Sequence, residues 1–193
     1  MQKRVLIIKS ENCTGCRMCE LACSSIKEGE FIPERSRIRV VTNGLEGWSR
    51  PLVCLQCEDA MCMAACEVEA IYESETSNGD PIIAADSEKC IECNQCVEAC
   101  PFGAIELFKG IGAIKCDLCG GVPTCVKFCH YKSLKFIEIS SEDNETRSNN
   151  IKKLTNKIQT ESSIYNSYQR RLKFALDAAN VINISTEKKS DKK

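Results

Sequence analysis

The chain has 193 residues, 16 of them cysteine, with only 6% aromatic residues and a formal net charge of −1. The thin supply of large apolar side chains predicts that something besides packing holds the fold together. The near-neutral charge argues against a nucleic-acid surface. No apolar run approaches the roughly 18 residues of a membrane span, and the apolar stretch near the start is too short for a signal peptide. We therefore expect a cytoplasmic chain in a reducing compartment, where disulfides rarely persist.

The cysteines fall into four groups of four, with none left over. Group one is Cys13, Cys16, Cys19 and Cys23; group two is Cys54, Cys57, Cys62 and Cys66; group three is Cys90, Cys93, Cys96 and Cys100; group four is Cys116, Cys119, Cys125 and Cys129. Groups one and three follow C-x2-C-x2-C-x3-C, whereas the middle gap widens to x4 in group two and x5 in group four. This fourfold internal repeat is the main feature of the sequence.

Iron–sulfur clusters explain this repeat better than the alternatives do. Disulfides need an oxidising compartment, and zinc ribbons separate two C-x2-C pairs by a longer spacer. A radical enzyme holds its cluster with three cysteines and leaves one iron open, whereas these cysteines divide evenly. Groups one and three reproduce the ligand run of bacterial [4Fe–4S] ferredoxins, and Pro101 after group three completes it. The sequence therefore predicts four [4Fe–4S] clusters.

The spacing also predicts local structure. Three cysteines of each group are expected on a tight loop, and the fourth is expected to begin a short helix. In two-cluster ferredoxins the fourth cysteine ligates the other cluster, so two motifs exchange one ligand each. Cluster assembly and folding should then be coupled, and the chain without iron should be largely unfolded.

The segments between the groups suggest which motifs exchange ligands. Between groups two and three, Ala70–Tyr72 and Ile82–Ala84 flank a turn signal at Asn78–Pro81, which predicts a hairpin. The gap from Pro101 to Lys115 leaves less room for the same arrangement. We therefore pair group two with three and group one with four. The predicted fold is α+β, with two nested bacterial-ferredoxin-like modules: an inner one at about residues 50–105, and an outer one at about residues 1–30 plus 106–139.

Residues 140–193 contain no cysteine, glycine or proline. Ser140–Asn150 is polar and predicts a linker, with Asn149 or Asn150 capping a following amphipathic helix. Apolar or neutral residues then recur at alternating spacings of three and four, and Glu161 fills the one missing place. These residues are Ile151, Leu154, Ile158, Tyr165, Tyr168, Leu172, Ala175, Ala179 and Ile182. Such a helix could pack on its own ferredoxin body, dock on a partner, or be disordered in the free chain, and Ser185–Lys193 should fray.

The chain resembles the electron-transfer subunits with four [4Fe–4S] clusters that accompany complex oxidoreductases. These include small subunits of dimethyl sulfoxide reductase-type molybdoenzymes, formate dehydrogenases, carbon monoxide dehydrogenase and tungsten aldehyde oxidoreductases. The resemblance covers about residues 3–139 and is carried by Cys13–Cys23, Arg35–Val40 and Cys116–Gly121. Prolines often follow the fourth cysteines in that family, but Ser24, Glu67 and His130 stand in three of the places here, which should leave those sites more solvated.

The resemblance implies four ligand sets. Set A is Cys13, Cys16, Cys19 and Cys129; set B is Cys23, Cys116, Cys119 and Cys125; set C is Cys54, Cys57, Cys62 and Cys100; set D is Cys66, Cys90, Cys93 and Cys96. Family members arrange their four clusters in a line.

The function expected from the sequence is electron transfer without catalysis. Every cysteine is committed, and His130 is the only histidine, expected to pack at a helix start beside a cluster. The alternation of Arg35, Arg37 and Arg39 predicts a strand with solvated arginines, or a contact with a partner subunit. The expected partners are a catalytic oxidoreductase subunit, first a tungsten or molybdenum pterin enzyme of the aldehyde oxidoreductase type, and an external electron donor or acceptor. A free polyferredoxin, or a subunit of a carbon monoxide dehydrogenase, formate dehydrogenase or hydrogenase, remains open. Exposed cubanes suggest an anaerobic source.

Overall fold

The computed structural model describes residues 3–161 and 165–177. Within these residues the chain forms eight β-strands and six α-helices. The strands are β1 (Lys3–Ile8), β2 (Ile38–Asn43), β3 (Trp48–Val53), β4 (Ile71–Glu75), β5 (Pro81–Ala85), β6 (Ile105–Phe108), β7 (Gly112–Lys115) and β8 (Leu134–Ile139). The helices are α1 (Met18–Glu28), α2 (Met61–Ala64), α3 (Gln95–Ala99), α4 (Thr124–Lys127), α5 (Ser141–Glu161) and α6 (Ser167–Asp177). The predicted α+β fold of short hairpins and short helices is confirmed.

The strands associate as four separate antiparallel pairs. Three of them join consecutive strands: β2 with β3, β4 with β5, and β6 with β7. The fourth joins β1 to β8, with Lys3 opposite Ile139, so it brings the beginning of the described chain beside residue 139. Sheets of two strands bury little surface by themselves, and the pairs are therefore stabilised by packing on helices and on one another.

The β4/β5 hairpin confirms the turn predicted at Asn78–Pro81, where Gly79 adopts a left-handed φ of +78°. The sequence predicts neither of the other two hairpins, β2/β3 and β6/β7. Strands β6 and β7 occupy the gap between groups three and four, because four-residue strands and a tight turn at Gly110 fit within it. A hairpin thus separates every two successive cysteine groups, and the lengths of the gaps do not by themselves select one pairing of groups.

The predicted linker at Ser140–Asn150 is wrong, because residues 141–150 form the first half of α5. The N-terminal cap is Ser140 rather than Asn149 or Asn150. The Ser140 Oγ accepts a hydrogen bond from the backbone N–H of Asp143 at 3.1 Å. Glu142 and Asp143 add negative charge to the first turn, where it favours the helix dipole.

The predicted apolar stripe is correct in its first half. Ile151, Leu154 and Ile158 are buried, as is Ala175 in α6. Residues 165 and 166 are not helical, and the later positions of the stripe do not share the buried face: Tyr165, Tyr168 and Leu172 are exposed. Ala179, Ile182 and the segment Ser185–Lys193 lie outside the described residues.

The buried apolar residues form two clusters. One contains Leu52, Ile71 and Ile105 of the strands together with side chains of α5 and α6. The Phe102 and Phe174 rings pack there with centroids 4.9 Å apart. The other cluster is centred on β2, β3 and α1. The tail therefore packs on the chain's own ferredoxin body, as one of the three alternatives predicted. No helix among residues 3–161 and 165–177 is long and apolar enough to cross a membrane.

Candidate iron–sulfur centres

Each cysteine group lies on a loop that leads into a helix. The loops turn through residues with left-handed backbone, such as Gly15 and Arg17 in group one and Glu92 and Asn94 in group three. These turns let cysteines spaced by x2 point toward one side. The predicted position of the helices needs correction, because the third cysteine lies near the helix start, whereas Cys100 ends α3. Cys23 lies within α1, and the fourth cysteines of groups two and four follow α2 and α4.

The four cysteines of set A line one cavity of about 330 Å³. Cys129 comes from the far end of the ferredoxin body, and the β1/β8 pair brings its loop beside the first group. Burial raises the pKa of Cys13, and nearby Cys16 and Cys129 raise it further. A hydrogen bond from the backbone of Gly15 lowers it, but by less. Burial and the adjacent Glu20 raise the pKa of Cys19 to about 12.

The four cysteines of set C line a second cavity, of about 450 Å³. Its walls include Leu55, Ile83 and Phe102, and Thr155 of α5 closes one side. Burial and the neighbouring Cys54 raise the pKa values of Cys57 and Cys62 to about 12.

The four cysteines of set D line a third cavity, of about 350 Å³. Burial and the other three cysteines of the set raise the pKa of Cys96 to about 11. Gly112 of β7 lies against this set: a Cβ atom there would come within 3.0 Å of the Cys90 Cβ. The backbone of the β6/β7 hairpin therefore approaches set D as closely as a glycine allows.

Set B is assembled from α1 and the fourth group. Burial and the nearby Cys116, Cys23 and Cys119 raise the pKa of Cys125. Cys116 also lies close to Cys54 of set C, which together with burial raises its pKa. Sets B and C are therefore neighbours.

The structure brings together the same four sets that the resemblance implied. Their role as ligands stays a prediction, which the chemistry of the donors fits. Each set offers four thiols, the donors that hold [4Fe–4S] clusters, and the cavities lined by sets A, C and D have largely apolar walls. Within the described part of the chain, no group of three or more His, Cys, Asp or Glu side chains has the geometry to hold a single metal ion.

Backbone N–H groups also point at the sulfur atoms. Arg37 N donates to Cys23 Sγ at 3.3 Å, Gln56 N to Cys54 Sγ at 3.4 Å, and Ala104 N to Cys100 Sγ at 3.4 Å. Hydrogen bonds to the ligand sulfurs are among the features that set the reduction potential of a cluster. Sequence analysis could not find them, because any residue except proline carries the donor.

Buried cations beside set C were also missed. Lys115 lines its cavity and is 6% exposed, and Arg147 of α5 is 7% exposed. Burial lowers the pKa of Lys115, but nearby Cys54 and Cys62 outweigh this and raise it overall. For Arg147, burial dominates and lowers the pKa. A lysine before a cysteine and an arginine in a polar segment form no recognisable motif.

Two other sequence interpretations are corrected. His130 is exposed and lies in a turn after α4, not at a helix start. The arginines of the segment 35–39 are not simply solvated: Arg37 pairs with Glu28, and Arg39 pairs with Glu106. Of the three, only Arg39 lies in a strand. Ser24 is fully buried, so the expected extra solvation fails at that place, whereas Glu67 and His130 are exposed.

Comparison with known families gives two matches. The 4Fe–4S dicluster domain matches residues 47–139, and a 4Fe–4S binding domain matches residues 10–26. Together they include all the cysteine groups.

Several curated relatives are matched over most of their own length. The polyferredoxin-like subunit of the aliphatic sulfonate oxidoreductase of Pyrococcus furiosus is 41% identical over 67% of this chain and 74% of its own. The putative electron transport protein YsaA of Escherichia coli K12 is 38% identical, over 70% and 90% respectively. Formate hydrogenlyase subunit 2 of the same organism is 32% identical, over 70% and 82%. The chain belongs to the 4Fe–4S ferredoxin family of iron–sulfur electron-transfer proteins, whose members include subunits of oxidoreductase complexes.

Proposed function

We propose that the chain is a non-catalytic subunit that relays single electrons through four [4Fe–4S] clusters, between a catalytic oxidoreductase subunit and an external redox partner. The observation that carries the proposal is that the sixteen cysteines lie in four groups in space. Sets A, C and D each line one cavity, and the cysteines of set B lie near one another. When bound, each cluster supplies a reversible one-electron couple. The cysteines hold it, and the apolar walls limit the access of water.

The order of the sets supports a linear arrangement. Helix α1 carries Cys19 of set A and Cys23 of set B. Cys116 of set B lies near Cys54 of set C. Helix α3 begins beside Cys96 of set D and ends at Cys100 of set C. The sets thus follow one another as A, B, C and D.

The ends of this order are the points of exchange with partners. Cys16 of set A and Cys93 of set D are the two exposed cysteines among the sixteen, all of which are described. Phe128 and Tyr131 line the cavity of set A and are exposed. Electron transfer between proteins requires close approach, and a set reachable from outside allows it.

The nested modules belong to the same proposal. Sets C and D take their cysteines from groups two and three, with the β4/β5 hairpin between those groups. Sets A and B take theirs from groups one and four, whose loops are joined by the β1/β8 pair. The inner module would therefore sit between the two halves of the outer one in the sequence.

The first choice of catalytic partner is a tungsten or molybdenum pterin enzyme of the aldehyde oxidoreductase type, in the cytoplasm of an anaerobic organism. The family resemblance supports this choice, and the relative named as a subunit of an aliphatic sulfonate oxidoreductase supports an oxidoreductase as the partner. Formate dehydrogenase and hydrogenase systems are alternatives, and the relative named as a formate hydrogenlyase subunit favours keeping them. Carbon monoxide dehydrogenase and a free polyferredoxin carrier are further alternatives.

The ligand sets can be tested with three variants of the anaerobically purified protein. Cys19 and Cys23 lie one turn apart on α1 but are assigned to different sets, whereas Cys129 is assigned with Cys19. Cys19→Ala and Cys129→Ala should each lose about four iron atoms per chain and remove the same transition in a redox titration followed by electron paramagnetic resonance. Cys23→Ala should remove a different transition. Loss of one common transition from Cys19→Ala and Cys23→Ala would contradict the assignment.

A further inference from the structure

Set C differs from the other sets in the charges buried beside it. The Lys115 ammonium donates hydrogen bonds to Ile83 O at 2.5 Å, Gln56 Oε1 at 3.4 Å and Cys116 O at 3.5 Å. These acceptors are all uncharged. A buried cation without a charged partner is costly, so the thiolates of set C, beside which Lys115 lies, are its natural counter-charge.

Arg147 lies beside the same set but comes from α5, outside the four cysteine groups. Its guanidinium donates to Leu55 O, which follows Cys54 directly, and it lies near Cys57 and Cys54. Glu58 also lies near and offsets part of this charge, but Glu58 is held by the Ser148 hydroxyl at 2.6 Å and the Asn144 amide at 2.9 Å. Two further charges lie near set C: Lys3 acts on Cys57, and Asp59 lines the cavity but is exposed and paired with Lys152. The surroundings of set C are therefore net positive.

The other sets have different charged neighbours. The strongest charge neighbour of Cys19 in set A is negative, and set D has no buried cation among the strongest charge neighbours of Cys96. Set A has the buried carboxylate of Glu20 beside Cys19, and its Oε1 accepts from Val40 N at 2.6 Å. The ion pair of Glu20 with Arg17 is half exposed on the arginine side. For Cys96 of set D the strongest charge neighbours are its fellow cysteines. Set B shares Lys115, which acts on Cys116, but Cys54 and Cys62 of set C act on Lys115 more strongly than Cys116 does. The thiols that act on Arg147 are those of set C.

Reduction adds one negative charge to a cluster that is already negative. A nearby positive charge stabilises the reduced form, and in a surrounding of low dielectric this effect is larger than in water. Burial alone acts in the opposite direction, because it disfavours the more highly charged form. The cations beside set C oppose this effect of burial and favour a higher potential there.

We infer that Lys115 and Arg147 make the cluster of set C the one with the highest reduction potential of the four, so that an electron entering the chain comes to rest at this interior position. This inference rests on the proposed function. Arg147 lies beyond residue 139, where the match to the dicluster domain ends. Helix α5 thus places a positive charge near the cluster of set C and also covers one side of its cavity.

The test uses the full-length holoprotein and the variants Lys115→Met and Arg147→Met, which keep long side chains but remove the charges. The matched control is Lys157→Met, on the same helix but half exposed and paired with Asp177 of α6. Redox titration followed by electron paramagnetic resonance should show that each charge-removing variant lowers the highest of the four midpoint potentials by at least 59 mV, a tenfold change in a one-electron equilibrium constant. The other three potentials and those of Lys157→Met should change much less.

The position of the transition is established with Cys54→Ala, which should lack the highest-potential transition altogether. Iron analysis accompanies every sample. If the unaltered protein holds about sixteen iron atoms but Cys54→Ala keeps the highest transition, or neither charge-removing variant shifts it, the inference is wrong and the proposed function stands. If the unaltered protein holds far less iron, the proposed function itself fails. Should Lys115→Met not assemble, Arg147→Met alone decides, because its charge comes from outside the cysteine loops.

Discussion

Glycine residues next to the cysteine loops are required for two separable reasons. Gly110 and Gly112 lie in the same hairpin and both have left-handed φ values, +75° and +87°. A Cβ at Gly110 would meet no atom within 4 Å, whereas one at Gly112 would press on Cys90. Gly110 is required by the backbone conformation of the turn, whereas Gly112 is required both by its backbone conformation and by the close approach to Cys90 of set D.

This difference gives a matched pair of variants. Gly110→Ala should cost about 1 kcal/mol of stability from backbone strain and retain full iron. Gly112→Ala should show the same strain and also lose iron from set D, because Cys90 must move. Iron content and thermal unfolding of the two purified proteins test this. Equal iron in both would show that the contact with Cys90 does not matter for cluster binding.

At the level of single residues, the sequence identifies the sixteen cysteines as candidate ligands, because thiol spacing follows directly from ligand geometry. Their binding of clusters stays a prediction. It does not predict Lys115, Arg147 or Gln56. Their role depends on burial and on distant strands: Gln56 Nε2 donates to Cys116 O at 2.7 Å and Gln56 Oε1 accepts from Ile83 N at 2.8 Å. Such pairings join residues far apart in the sequence.

The strand pairs are joined to each other by polar contacts as well as by apolar packing. Asp80, in the β4/β5 turn, accepts hydrogen bonds from the backbone N–H of Arg4 at 3.0 Å and from its guanidinium at 2.9 and 2.6 Å. Thr76 Oγ1 lies 3.3 Å from the same carboxylate. Burial alone would raise the pKa of Asp80, but the contacts with Arg4 and Thr76 lower it overall.

The depressed pKa fixes the direction of a pH effect. A carboxyl whose pKa is lower in the folded state contributes stability above its unfolded value, near 3.9, and this contribution is lost as the pH falls through the folded-state pKa. Asp80→Asn should therefore destabilise the protein at pH 7, and the difference from the unaltered protein should shrink below about pH 4. Denaturant unfolding at several pH values measures it, with exposed Asp59→Asn as control. A difference independent of pH would contradict the assignment.

At the level of elements, prediction succeeds where local signals are strong and fails where tertiary contacts decide. The β4/β5 hairpin follows from its Asn-Gly turn. The β6/β7 hairpin has no Asn-Gly or Asp-Gly turn, and the gap between groups three and four is short, so the sequence does not predict it. The apolar spacing of residues 151–182 predicts one continuous stripe, but the helix is interrupted before Ser167, and Phe174 becomes a core residue through its contact with Phe102.

The C-terminal helices are part of the body in the whole molecule. Ile151, Leu154, Ile158 and Phe174 are all buried in the cluster that surrounds sets C and D. Arg170 of α6 donates to the backbone oxygens of Val97 and Glu98 at the end of α3, at 2.8 and 2.7 Å. Amphipathic spacing in the sequence does not distinguish packing on the same chain from docking on a partner, because both bury the same face.

Removal of residues 141–193 should therefore release iron from set C first, since Thr155 no longer closes its cavity and the nearby charge of Arg147 is lost. We expect the truncated protein to lose about four iron atoms and the highest-potential transition, with sets A and B retained. Iron analysis and redox titration measure this, and Leu172→Ala, which trims a partly exposed residue of α6, is the control. Full iron retention with weaker binding to a partner subunit would instead show that the tail acts mainly in docking.

The central claim is that the chain carries four [4Fe–4S] clusters for electron transfer. Multi-element metal and sulfide analysis of the complex purified anaerobically from its source tests it most directly. The account expects about sixteen iron atoms and as many sulfides for each copy of this chain, with tungsten or molybdenum co-purifying if the first choice of partner is correct. Zinc in place of iron, or iron enough for only two clusters, would contradict the account.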